Sequence, residues 1–112
     1  MPTYMRIPYE IAQRFCQNVF NSHGFSPEES AKITDVLLAA DLGGIESHGI
    51  QRLVRYDAEI RAGFVDVHAQ PETVFETPVS AVIDAKDAMG QLISCEAMEA
   101  AIRKAQTSGI GM

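Results

Sequence analysis

Residues 71–84, PETVFETPVSAVID, decide the fold class of this chain. Thr73-Val74-Phe75-Glu76-Thr77 lies between Pro71 and Pro78 and reads as a short strand. Val79 to Asp84 alternates apolar and small or polar residues and reads as a second strand. The Thr77-Pro78 step is too tight for a two-residue hairpin, so the pairing of the strands stays open. Asp84-Ala85-Lys86-Asp87 reads as a turn. A helix should follow from Gly90 or Gln91 to Ser108, with Met98, Ala101, Ile102 and Ala105 as its inner stripe and Gly109 as its cap. The apolar stub Ile110-Gly111-Met112 then resembles the first residues of another strand. That order implies a larger α/β protein divided at an element boundary; the alternative is a frayed tail.

Upstream, the period changes to that of helices. A first helix is expected from about Pro8 to Ser22, with Ile11, Phe15, Cys16, Val19 and Phe20 on its apolar face. His23-Gly24 should end it, with His23 as a surface residue or an aid to the cap. Ser26-Pro27-Glu28-Glu29 has the form of a capping box and opens a second helix. That helix should turn Ala31, Ile33, Val36, Leu37 and Ala40 inward and stop near Gly43-Gly44. A third is expected from Ser47, as N-cap, to about Ala62, ending at Gly63. Ile50, Leu53, Val54 and Ile60 would line one side of it. Asp57 falls on that apolar side without a reason visible in the sequence.

The opposite side of the third helix carries the chemistry. His48, Arg52 and Tyr56 recur every four residues and would share one face. The field of a helix N-terminus disfavours imidazolium, so His48 there would be a neutral proton acceptor or donor. The planar fork of Arg52 suits a carboxylate. Gly49, lacking a side chain, would let a ligand approach the backbone. Together they could hold a 2-hydroxy or 2-oxo acid. Arg55 and Glu59 share the same face, which equally fits a solvated helix surface.

Composition excludes several classes. The chain has 112 residues, 46% hydrophobic and 21% charged, enough for one modest domain. Its net charge of −6 and its lack of basic runs argue against a nucleic-acid surface. No apolar run approaches the ~20 residues of a membrane span, and the start, MPTYMRIPYE, lacks an apolar secretory stretch. No membrane association and a cytoplasmic location are therefore expected. Cys16 and Cys95 read as buried free thiols. His23, His48 and His68 fall at no zinc-ligand spacing, so no metal is expected. Gly43-Gly44 lacks the Lys-Ser/Thr of a phosphate loop, and Gly109-Ile110-Gly111 follows a helix where a dinucleotide fingerprint needs a strand.

The run AADLGGIESHGIQRLVRYDAEIRAG (39–63) closely resembles the malate/L-lactate dehydrogenases of the non-Rossmann type. The family includes ureidoglycolate, sulfolactate and diketogulonate dehydrogenases and cyclic-imine carboxylate reductases. The likeness continues through VIDAKDAMGQLISCEAMEAAIRKAQTSGIGM (82–112). The resemblance implies an α/β fold of which this segment is the N-terminal part: three amphipathic helices, two short strands and a fourth helix. Residues 1–70 would be a helical domain carrying the Ser-His-Gly segment, and 71–112 the start of a cofactor-binding domain. It further implies an NAD(P)-dependent oxidoreductase interconverting 2-hydroxy and 2-oxo acids, with NAD or NADP bound mainly beyond Met112 and a homodimeric assembly. His48 would be catalytic, and Ser47, Arg52 and Tyr56 substrate-binding. The isolated 112 residues should be inactive. Two positions depart from the family pattern: Gly43 stands where arginine is usual, and Glu46 where aspartate is usual. The first puts substrate preference in doubt. A reductase or dehydrogenase of another branch of the family is one alternative, and a non-catalytic helical interaction module is another.

Overall fold

The computed structural model describes residues 3–112. They form an α/β arrangement of four α-helices and one two-stranded sheet, divided into two compact units, the first reaching Glu59 and the second running Ile60–Met112.

In the first unit, α1 (Tyr9–Ser22) pairs with α2 (Pro27–Leu42). Pro8 stands just before α1 as its N-cap, one place earlier than the sequence reading put it; its carbonyl accepts from the N–H groups of Ile11 and Ala12, both at 3.1 Å. Ala12, Cys16 and Phe20, four residues apart, are the buried stripe of α1, whereas Ile11 and Phe15 are exposed. The expected face was therefore rotated: the helix turns the small and sulfur-bearing edge of its apolar arc inward. Gly24, at φ 104°, reverses the chain, and Phe25 folds back edge-on to Phe20 with ring centroids 6.2 Å apart.

The capping box at Ser26 is present. Its Oγ accepts from the Glu29 N–H at 3.1 Å, and the Glu29 carboxylate accepts from the Ser26 N–H at 2.9 Å. From there α2 buries Ser30, Ile33, Thr34, Leu37 and Leu38. Ile33 and Leu37 match expectation; Val36 is exposed, and Ser30 and Thr34 take core positions that a hydrophobicity reading passes over. His23 is not a surface residue. Its side chain is 11% exposed and its Nε2 lies 2.6 Å from Asp57 Oδ1. That pair also explains Asp57, the acid on the apolar side of the third helix.

The third helix differs most from expectation. Two single 3₁₀ turns, Glu46–His48 and Ile50–Arg52, precede α3 (Leu53–Arg61). Ser47 therefore lies inside a turn and caps no helix. Leu53 is buried, while Val54 is exposed.

In the second unit, β1 (Glu72–Glu76) and β2 (Ala81–Asp84) pair antiparallel, with Glu72 opposite Asp84, Thr73 opposite Ile83, Phe75 opposite Val82 and Glu76 opposite Ala81. The register shifts between Thr73 and Phe75, leaving Val74 as the extra residue of a bulge. The second strand starts two residues later than expected because Val79 and Ser80 belong to the connection. Thr77 Oγ1 accepts from the N–H groups of Val79 and Ser80 at 3.2 and 3.0 Å and holds that turn. The turn after β2 places Lys86 and Asp87 at positive φ, with the Asp84 carboxylate accepting from the Lys86 N–H at 3.0 Å. That bond, with the Lys86 ammonium 3.1 Å from the same carboxylate, holds the Asp84 carboxyl below its ordinary range.

Helix α4 (Gly90–Ser108) ends at Gly109, at φ 83°, as expected. Lys104 Nζ reaches back to the Glu76 carboxylate at 2.8 Å and to the Thr77 carbonyl at 2.7 Å, which lowers the Glu76 pKa from its usual value. Met98 and Ile102 are exposed; of the expected stripe, Ala101 and Ala105 are half-buried. Of the terminal stub, Met112 lies beside Ser80. The Met112 N–H donates to the Val79 carbonyl at 2.8 Å, and the Ala81 N–H donates to the Met112 carbonyl at 2.9 Å. Two bonds flanking Ser80 in this sense are the pattern of a parallel pair, so β2, α4 and Met112 trace a βαβ crossover. Gly111 is required there: a Cβ on it would fall on the Ala101 carbonyl of α4. Cys16 is buried as expected, but Cys95 is half-buried.

Candidate functional site

The site is built on the chain reversal between α2 and α3. After α2, Gly44 at φ 78° turns the backbone, and the Ile45 N–H donates to the Ala40 carbonyl at 2.7 Å. The first 3₁₀ turn carries Ser47 and His48, and the second carries Arg52. Gly49, at φ −93° and ψ −149°, is the break between them. The continuous helical face expected for His48, Arg52 and Tyr56 is therefore absent, as is a helix N-terminus beneath His48.

Three of the four expected residues are nevertheless brought together. Ser47 Oγ lies 2.8 Å from His48 Nδ1, and Arg52 Nε donates to the Ser47 carbonyl at 2.6 Å. Tyr56, half-buried on α3, takes no part in these two bonds. The serine contact fixes the imidazole ring. A hydroxyl that donates to Nδ1 leaves Nε2 as an N–H donor; a hydroxyl that accepts leaves Nε2 as the acceptor. Either way one ring edge stays available on an exposed residue. With Nε engaged on Ser47, the two terminal nitrogens of Arg52 remain to hold an anion through parallel bonds.

Asp41 is a member of this region that sequence reasoning missed. It sits in the last turn of α2, where the helix field disfavours a negative charge. Its carboxylate accepts from the Ile50 N–H at 2.7 Å. Gly49 is buried against that carboxylate, and a Cβ at residue 49 would overlap it. The space at Gly49 is thus filled from within the protein and is not an opening for a ligand, contrary to the sequence reading. The acid in a C-terminal helical turn was the available signal. A cavity of about 700 Å³ is lined by Met5, Arg6, Ile7, Tyr9, Ala12, Leu38, Asp41, Leu42 and Ile50. Ser47, His48 and Arg52 do not line it.

Among the described residues no group of three histidine, cysteine or acidic side chains could hold a metal. The strand-to-helix turn 84–90 has side-chain-bearing Lys86 and Asp87 at positive φ, where a phosphate cradle needs bare backbone. No helix among the described residues is long and apolar enough to cross a membrane.

The chain matches the family described as malate/L-lactate dehydrogenase over residues 7–112. It is 43% identical over 110 residues to a malate dehydrogenase of Pyrococcus abyssi, covering 97% of this chain and 30% of that protein. An L-sulfolactate dehydrogenase of Methanocaldococcus jannaschii is 44% identical over 87 residues, covering 77% of this chain and 25% of its own length. The solved structure of the malate dehydrogenase from Pyrococcus horikoshii superposes with a TM-score of 0.93 at 38% identity, covering 96% of this chain and 31% of that one. The chain thus spans about 30% of the length of such relatives.

Proposed function

Because the chain belongs to the malate/L-lactate dehydrogenase family, we propose that it contributes the acid-binding half of an NAD(P)-dependent oxidoreductase acting on small 2-hydroxy and 2-oxo acids. The observation that carries this reading is the Ser47–His48–Arg52 cluster: a ring-fixed imidazole and a guanidinium fork joined through one serine, with Ser47 and His48 exposed and Arg52 half-buried. Arg52 binds the substrate carboxylate through its terminal nitrogens. His48 holds or moves the proton of the adjacent oxygen through Nε2. Ser47 sets the ring orientation and Tyr56 closes the substrate side. A bound nicotinamide would supply or take the hydride, with most of its cradle beyond Met112.

Residues 1–70 then form the helical, substrate-facing part, and residues 71–112 open the cofactor-binding α/β part. The enzyme is a cytoplasmic homodimer. Relatives that act on malate and on sulfolactate support an anionic substrate with a second acidic group.

Steady-state oxidation of NADH and NADPH by the complete encoded protein, with oxaloacetate, pyruvate and sulfopyruvate, tests the reading. His48→Ala should lower kcat about 10²- to 10⁴-fold. Arg52→Lys, which keeps the charge and loses the fork, should raise KM about tenfold to a hundredfold. Wild-type kinetics in His48→Ala would remove the imidazole from the mechanism.

A further inference from the structure

We propose that Asp41 is a positioning residue for the His48–Arg52 pair, acting through the Gly49–Ile50 backbone. The inference rests on the reading of His48 and Arg52 as the substrate-facing groups. The two side chains stand on separate single 3₁₀ turns, and a single 3₁₀ turn has little stability of its own. Gly49 is the one residue between the turns, and its backbone, together with the Arg52 Nε bond to the Ser47 carbonyl, sets their relative placement. Gly49 is buried with no Cβ, and the Asp41 carboxylate fills the space a side chain would take.

The same carboxylate accepts from the Ile50 N–H at 2.7 Å, immediately after the break. On the other flank, the Gly49 N–H donates to the Glu46 carbonyl at 3.2 Å, and the Arg52 N–H donates to the Gly49 carbonyl at 2.9 Å. Gly49 and Ile50 are therefore held from three directions, and only one of the holders is a side chain. A charge-assisted bond to a backbone N–H is a stiff tether. Asp41 is itself anchored on α2, beside the buried Leu37 and Leu38 of the helix core. It transmits the rigidity of α2 to a backbone whose own turns are too short to be rigid. Asp41 touches no reacting atom in this account.

The test is a set of variants of the complete encoded protein, assayed by NADH or NADPH oxidation with oxaloacetate alongside His48→Ala. Asp41→Ala should lower kcat/KM about tenfold to a hundredfold, the usual cost of misplacing a catalytic group by about an ångström. Gly49→Ala, which drives the carboxylate off the Ile50 N–H, should do the same. The double variant should be no worse than either single one, because the alanine Cβ then meets no carboxylate. Asp41→Asn keeps an acceptor oxygen and should lose less than Asp41→Ala, with the pH limits of kcat/KM unmoved.

Multiplying losses in the double variant, or wild-type kcat/KM in Gly49→Ala, overturns the proposal. Should Asp41→Ala not fold, a Gly49→Ala loss beside a milder Asp41→Asn loss still supports it, and equal retention in both overturns it. An inactive His48→Ala beside a normal Asp41→Ala rejects only the positioning role. A fully active His48→Ala rejects the underlying reading of the site.

Discussion

Cys16 shows what the interior does to one ionisable group. Burial, with the charge of Asp41 adding to it, pushes its thiol up to about 11. The folded chain therefore keeps the proton where the unfolded chain loses it, and unfolding is promoted as pH rises from about 9 toward about 11. Below the lower value this group contributes no pH dependence. Iodoacetamide at pH 8 should modify the half-buried Cys95 and spare Cys16 until denaturant is added, which mass spectrometry of the labelled peptides reads directly. Early labelling of Cys16 would contradict its burial. At this scale the sequence put Ser47, His48 and Arg52 near one another, which their short separation secures, but on a helix face that the two 3₁₀ turns replace. It was illegible for Asp41, Asp57 and His23. Their partners lie 9 and 34 residues away in the chain, and a carboxylate on an apolar or C-terminal helical position looks anomalous until that partner is seen.

At the scale of elements, local chemistry was the reliable guide and periodicity the weaker one. The Ser26 capping box and the Gly109 cap formed as read because each satisfies backbone groups within a few residues. Ser26→Ala should therefore destabilise the first unit by about 1 kcal/mol. Urea denaturation followed by circular dichroism would measure it, and an unchanged midpoint would rule out a stabilising cap. Periodicity defines an apolar arc, and on α1 that arc includes Ile11 and Phe15 as well as Cys16 and Phe20. Only packing against α2 chooses between the two edges. The third helix failed for a different reason. The backbone breaks at Gly49, where the Asp41 carboxylate fills the space of a side chain and accepts from the Ile50 N–H, and a helical spacing of His48, Arg52 and Tyr56 carries no trace of it.

Across the molecule, apolar residues outnumber the places within this chain that bury them. Ile11, Phe15, Val36, Val54, Phe75, Val82, Met98 and Ile102 are all exposed. Expressed as these 112 residues alone, the chain should bind a hydrophobic dye and elute progressively earlier from a sizing column as concentration rises. A single, concentration-independent monomer peak without dye binding would show that the exposed side chains are tolerated in water. The α/β class was legible because hydrophobic period switches from helical to alternating near Pro71, a property of the chain that needs no partner. What covers each face was not, because burial is a property of neighbours. The pairing of Met112 beside Ser80 also sets a timetable. Thirty-two residues separate the two, and a ribosome adds about 5–20 residues per second. For roughly two to six seconds of synthesis, the nascent hairpin has one flank of β2 open to any passing extended chain. The bonds that Thr77 makes around its turn join residues close in sequence, so they can form within that interval, although a lone two-stranded hairpin is only marginally stable in water.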